Sequence, residues 1–340
     1  MASSSAAKET AEDHPAHLDP SELGTKEYWE SFYESSLSHL SSKKKPRRDE
    51  PRQNNEDEED EAAAEEDAQY SGSDSDSDSE IDDEDDPGTS WFSEYKAPEK
   101  VLRFLTSDSF PLAPCNTSSA STQPSILDLG TGNGSMLTLL RDKGGFTGSM
   151  VGLDYSEKSI ELARQLLTLR SQTQNRPNHD DINGDNHNNI RFEVWDILAT
   201  STAKDAMPEW FPASQGGFDI VLDKGTFDAV SLSAEEIAEE DSGEGGGQST
   251  SKRVHRRICE RYPAAATRLV RPGGFLVVTS CNWTEDELVK WFTAPTTSGG
   301  EAGESALVVW GRIEYAKFRF GGQEGQGVCT VCFQRNQAQE

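Results

Sequence analysis

The chain has 340 residues, with 61 Asp and Glu against 32 Lys and Arg and a net charge of −29 at pH 7. That excess of acid, with no basic stripe, argues against a nucleic-acid binder, whose phosphates it would repel. No apolar run approaches the roughly 20 residues that span a bilayer. The five cysteines include a single C-x-x-C, Cys329 and Cys332, with no second Cys or His pair at zinc spacing, so they read as reduced thiols in a strand and no metal is expected.

Residues 1–20 are polar and read as a disordered N-terminus with no signal peptide, in a cytoplasmic protein whose entry into the nucleus stays open. Residues 21–40 read as the first helix of the folded domain, centred on 23–37. Tyr28 and Phe32, and Trp29 and Tyr33, stand four apart, so the helix packs its aromatics on the core or covers the active site. Residues 41–88 read as a disordered insert. It opens on Lys43, Lys44, Lys45, Pro46, Arg47 and Arg48, a nuclear signal or an exposed basic linker. Between Glu56 and Asp86 it carries 18 acids and no Lys or Arg, leaving −11 for the rest of the chain. A like-charge run with few apolar residues cannot collapse. Its Ser-acid alternation over 73–80 reads as an acidophilic-kinase substrate or as a solvated tail.

Residues 89–340 read as one large α/β domain with surface-loop insertions at about 171–189 and 239–251. Val101, Leu102, Phe104 and Leu105 close a helix. Ile126-Leu127-Asp128-Leu129 is a buried strand that runs into Gly130, Gly132 and Gly134 and then into an amphipathic stretch. A second strand over 150–153 meets Asp154 at its carboxyl end. A crossover helix covers 156–170. A third strand over 190–194 ends in Trp195 and Asp196, and a fourth over 218–222 ends in Asp223. A helix over 253–269 leads to Arg271-Pro272-Gly273-Gly274, a structural turn into a fifth strand over 275–279. Segments 311–320 and 327–335 read as a closing antiparallel pair. The expected fold is a doubly wound seven-strand sheet, mostly parallel with a reversed C-terminal strand and helices on both faces.

Four successive strands therefore finish at or near an aspartate, where ligands bind in open α/β sheets. The turn is G-x-G-x-G; a dinucleotide fingerprint needs G-x-G-x-x-G, but Ser135 stands at the last position, so the third glycine comes one residue early. A strand with an internal Asp followed by G-x-G-x-G is the pattern of class I S-adenosyl-L-methionine (AdoMet) methyltransferases. On that pattern Gly130, Gly132 and Gly134 make room for the cofactor, Asp128 holds its amino end, Asp154 takes the ribose diol, and Asp196 accepts from the adenine amino group with Trp195 or Ile197 against the ring. An acid-lined pocket suits a sulfonium cation and repels the pyrophosphate of NAD.

Beyond the fourth strand, 223–228 read Asp-Lys-Gly-Thr-Phe-Asp. The Asn/Asp-Pro-Pro-Tyr string of DNA and glutamine methyltransferases is absent there. Leu23-Gly24-Thr25-Lys26-Glu27-Tyr28-Trp29, the glycine turn, Asp223-Lys224-Gly225-Thr226-Phe227-Asp228-Ala229 and Ser280-Cys281-Asn282-Trp283-Thr284 together resemble the seven-strand protein-lysine methyltransferases that modify translation elongation factor 1-alpha. The resemblance covers nearly all of the chain outside the acid block and the two loop insertions. It implies transfer of methyl from AdoMet to a lysine ε-amine of that factor; no metal is expected, and with nothing in the sequence suggesting a dimer interface the chain is expected to be a monomer. Asp223 would orient the amine, also beside the cofactor, and Phe227 or Trp283 would wall the lysine channel, while Lys224 pairs with a neighbouring acid. The alternatives are an AdoMet methyltransferase of a small molecule or another protein, and a non-catalytic scaffold of the same fold whose acid tract binds basic partners.

Overall fold

The computed structural model describes residues 15–43, 92, 95–120, 123–174, 189–199, 207–237, 256–294, 307–320 and 323–337. The acid block, the basic cluster beyond Lys43, residues 175–188 of the first loop insertion and all of the second lie outside the described residues. In chain order, a 3-10 turn at Glu22–Gly24 leads into α1 (Lys26–Lys43). Then come α2 (Ala97–Leu105), the single turn α3 (Pro114–Thr117), β1 (Ile126–Leu129), α4 (Ser135–Asp142), β2 (Met150–Asp154), α5 (Glu157–Gln174) and β3 (Ile190–Val194). The second half holds β4 (Phe218–Lys224), α6 (Thr226–Ser231), α7 (Tyr262–Leu269), β5 (Val270–Ser280), α8 (Glu285–Thr293), β6 (Leu307–Ile313), β7 (Lys317–Phe320), β8 (Gln323–Gln326) and β9 (Cys329–Arg335).

Seven strands form one sheet in the order β3-β2-β1-β4-β5-β9-β6, and β7 and β8 make a separate hairpin. The first five pair in parallel, and β9 runs antiparallel to both β5 and β6. The doubly wound architecture read from the sequence is the one found. Strand order reverses between β1 and β4, which puts the crevice for a ligand at their carboxyl ends.

Three local expectations shift. The first closing strand starts at Leu307 and ends at Ile313, because the apolar run 307–310 pairs with β9. Residues 317–320 belong to the hairpin instead. The helix expected over 253–269 begins only at Tyr262, after a 3-10 turn at Ile258–Arg261. Pro263 lacks an N–H and is tolerated only in a first helical turn, which sets that start. The Arg271–Gly274 turn lies inside β5 as a bulge: Gly273 has φ +78°, and pairing with β4 slips between Phe218 and Ile220.

Side chains alternate across the sheet, so register decides which face each strand-end acid serves. Leu127, Leu129, Val221 and Val278 bury one face under Tyr262 of α7 and Trp291 of α8. Ile126, Ile220, Leu222 and Val277 bury the other under Leu105 of α2, Met136 and Leu137 of α4, and Ile160 of α5. Asp128 is level with Gly152 and Leu222, and Asp154 follows Gly152 by two, so both acids lie on the α4/α5 face. Asp223 is level with Leu129 and Val278 and lies on the α7/α8 face.

Candidate functional site

The glycine turn after β1 is held by Thr131 N–H to the Leu153 carbonyl (2.8 Å) and Gly134 N–H to the Thr131 carbonyl (3.0 Å). A Cβ on Gly134, at φ +76°, would stand 2.4 Å from Phe192 Cζ. That hydrogen serves packing of the turn on β3. A Cβ on Gly132, at φ +59°, would meet only the tip of the Tyr33 side chain, Oη at 2.9 Å. There the obstacle is a movable group on α1, and the cradle is one a ligand can enter. Gly130 is exposed and stands against Thr226, whose hydroxyl donates to the Leu129 carbonyl at 2.6 Å.

The strand-end acids differ in how far their oxygens are filled. Asp128 is 2% exposed and, among the described residues, takes one donor, the Thr131 hydroxyl at 2.7 Å. Burial pushes its carboxyl up to about 6, against the pull of Thr131 and the charge of Lys224. Asp154 takes three: Gly132 N–H (3.1 Å) and the Ser159 hydroxyl (2.7 Å) on Oδ2, and Ser156 N–H (2.9 Å) on Oδ1. Burial raises its pKa too. Trp195 N–H donates to the Asp154 carbonyl at 2.9 Å, and the Trp195 ring meets the Trp210 ring edge-on at 5.3 Å. Asp196 is exposed and accepts from Leu198 N–H in its own turn at 2.8 Å. Tyr155 shares the region: burial, then the charges of Asp154, Asp196, Glu27 and Glu30, raise its pKa.

Asp223 differs in kind. Its carboxylate, 1% exposed, accepts from Thr226 N–H (2.9 Å), Phe227 N–H (3.2 Å to each oxygen) and the Tyr262 hydroxyl (2.9 Å). It thus satisfies the first amides of α6, as a capping carboxylate does, and burial pushes it up to about 7. These donors direct the carboxylate into the start of α6 and onto Tyr262. Phe227 (1% exposed) and Trp283 (5%) are likewise buried. Phe227 stacks on Tyr262 at 5.5 Å and Trp283 at 5.9 Å, with Phe292 edge-on at 5.1 Å. They form an aromatic core under the site, not the wall of an open channel, because the α7/α8 face at that register is the packed one.

The open rim comes from residues beside the expected ones. Lys224, Gly225 and Thr226 are half-buried, and Cys281 and Asn282 are exposed, all beyond the carboxyl ends of β4 and β5. Lys224 Nζ lies 5.4 Å over the ring of Phe92, which also stands 3.0 Å from where a Gly225 Cβ would be. The chain therefore returns from its acid insert to the end of β4. Asp228, fully buried, accepts from the Ser280 hydroxyl and from Cys281 N–H at 2.9 Å, tying α6 to the loop after β5. Cys329 and Cys332 are free, buried thiols of β9, as read from the C-x-x-C. Thr131 and Tyr262 bond the strand-end acids Asp128 and Asp223, and Glu30 of α1 accepts from the first amides of α5; the sequence reading singles out none of the three. Thr131 sits inside the glycine motif and was within reach of it. Tyr262 and Glu30 reach the site only through tertiary packing and carry no local signal.

The methyltransferase-domain family model matches residues 121–322. Protein-lysine N-methyltransferase EFM4 of Saccharomyces cerevisiae is 30% identical over 318 residues, 94% of this chain and 96% of that protein. EEF1A lysine methyltransferase 2 of Homo sapiens is 27% identical, covering 93% of this chain and 88% of that one. Protein-lysine N-methyltransferase efm4 of Schizosaccharomyces pombe is 27% identical, covering 93% and 95%. With that match running nearly end to end across the glycine turn and all four strand-end acids, the chain belongs to the family of seven-strand protein-lysine methyltransferases.

Proposed function

We propose that the protein transfers a methyl group from AdoMet to a lysine ε-amine of translation elongation factor 1-alpha. The observation that carries the cofactor reading is Asp128, a buried carboxylate with one side-chain donor and a pKa pushed up to about 6. A bound ammonium would supply the missing partner and favour the ionised form. The Gly132 cradle beside it, with Asp154 and Asp196 at the next two strand ends, completes a set suited to a cationic nucleoside. Bound there, AdoMet supplies an electrophilic methyl on sulfonium.

The chain's own residues do the positioning. Asp128 and Asp154 hold the amino and ribose ends, and Trp195 and Asp196 receive the adenine. Asp223, with Tyr262, fixes the start of α6 and so the Lys224–Thr226 rim against which the substrate lysine enters. A lysine of pKa about 10.4 must arrive neutral; closing the rim over it removes water and lowers that pKa. The acceptor is inferred from what the relatives' names state of them. The same reading keeps the enzyme in the cytoplasm with its substrate, as a monomer.

The test is methyl transfer from labelled AdoMet to purified elongation factor 1-alpha by the wild type and by Asp128→Asn, with mass spectrometry to locate the mark. Labelling of a lysine by the wild type, strongly reduced in the variant, is the expected result. AdoMet binding without labelling would refute the acceptor assignment, and no AdoMet binding would refute the cofactor assignment.

A further inference from the structure

Residues 18–33 cross the carboxyl edge of the sheet. At one end the Arg257 guanidinium donates to the carbonyls of Leu18, Ser231 and Ser233, and Ser21 N–H donates to the Leu232 carbonyl at 3.1 Å. These bonds stitch the segment to the end of α6. At the other end the Tyr155 hydroxyl donates to the Thr25 carbonyl at 3.2 Å. The Glu30 carboxylate accepts from Glu157 N–H (3.0 Å) and Lys158 N–H (3.4 Å). One turn along the same helix, Tyr33 stands over Gly132.

The first turn of α5 therefore holds two carboxylates side by side on successive amides. Asp154 takes Ser156 N–H, and Glu30 takes the next two. A carboxylate offers about four lone-pair positions. Three of those on Asp154 face Gly132, Ser156 and Ser159, the last sharing its one hydroxyl hydrogen between Oδ2 and the Gly132 carbonyl (2.8 Å), which leaves room on Oδ1 for one further donor. A ribose diol brings two. Glu30, with two backbone donors, has room for the other. We propose that Glu30 is a cofactor-binding residue contributed by α1, sharing the ribose diol of AdoMet with Asp154. This rests on the AdoMet reading above. It also gives the N-terminal segment a direct part in holding the cofactor, beyond covering it.

The test is calorimetric binding of S-adenosyl-L-homocysteine and of its 2′-deoxy and 3′-deoxy analogues to the wild type, Glu30→Gln and Asp154→Asn. A lost hydrogen bond to a charged acceptor predicts that Glu30→Gln weakens the parent ligand roughly tenfold. The same substitution should change binding of one monodeoxy analogue by less than about twofold. Asp154→Asn should instead lose its sensitivity to the other hydroxyl. Equal losses for all three ligands in Glu30→Gln, or no loss, would overturn the proposal, since a residue that merely docks α1 cannot tell the hydroxyls apart. Failure of the wild type to bind the parent ligand would overturn the cofactor reading instead.

Discussion

Replacing Tyr262 with Phe removes one oxygen and should produce a stability loss that grows with pH. The hydroxyl donates to Asp223 at 2.9 Å, and both residues are buried, 0% and 1% exposed. Burial has raised the Asp223 carboxyl from 3.8 to about 7, with Tyr262 the first of the bonds that oppose the rise. A carboxyl raised on folding contributes stability that is fully present below pH 3.8 and is lost as pH climbs through about 7. Taking away the Tyr262 donor enlarges that loss. Near pH 5 Asp223 is protonated in the fold, the bond is between neutral groups, and the substitution costs about 1 kcal/mol. Near pH 8.5 the carboxylate is charged, and the cost rises to about 2–3 kcal/mol. The difference corresponds to about one pK unit, at roughly 1.4 kcal/mol per unit. Urea unfolding of the wild type and Tyr262→Phe at both pH values measures it. In an Asp223→Asn background the same substitution should cost the same at both. A cost independent of pH, or below about 0.5 kcal/mol at pH 8.5, would refute the assignment of Asp223 as a charged cap held by Tyr262.

Other outcomes follow from the same geometry. Gly134→Ala forces a Cβ to 2.4 Å from the Phe192 ring at a φ of +76° and should cost roughly 2–4 kcal/mol. The resulting fall in Tm should be partly restored by Phe192→Leu. Asp128, raised to about 6, must be ionised to hold an ammonium, so calorimetric affinity for S-adenosyl-L-homocysteine should rise from pH 5 to pH 7.5. That part of the pH dependence should be absent in Asp128→Asn. A Gly24 Cβ would sit 2.2 Å from the Leu232 carbonyl carbon; Gly24→Ala should therefore lift the N-terminal segment, seen as faster amide exchange in the first turns of α1 and α5.

Much of the site could be read without coordinates. The apolar runs, the acids that end them and the glycine turn are local patterns, and strands in a doubly wound sheet deliver their carboxyl ends to one crevice whatever packs around them. Asp128, Asp154, Trp195 and Asp196 are gathered there for that reason. The fold class followed from the same alternation, and the C-x-x-C was recognised as strand thiols because no second ligand pair exists. Pro263 carried a readable sign of the late start of α7, since a proline this close to a helix start belongs in its first turn.

The roles within the crevice depended on register and on contacts distant in sequence. The sequence alone determined that four acids lie at strand ends. Only the fold decided that Asp128 and Asp154 share the face beside α4 and α5, while Asp223 points to the opposite, fully packed face, where it caps α6. Phe227 and Trp283 follow Asp223 into that core, so aromatic residues close to the site in sequence became its foundation. Glu30 and Tyr33 lie about 100 residues before the glycine turn and reach it only because α1 docks on the first turn of α5. A local pattern records how a strand ends and turns. Which neighbour fills a carboxylate's remaining lone pairs is settled by packing, because that neighbour can come from any point in the chain.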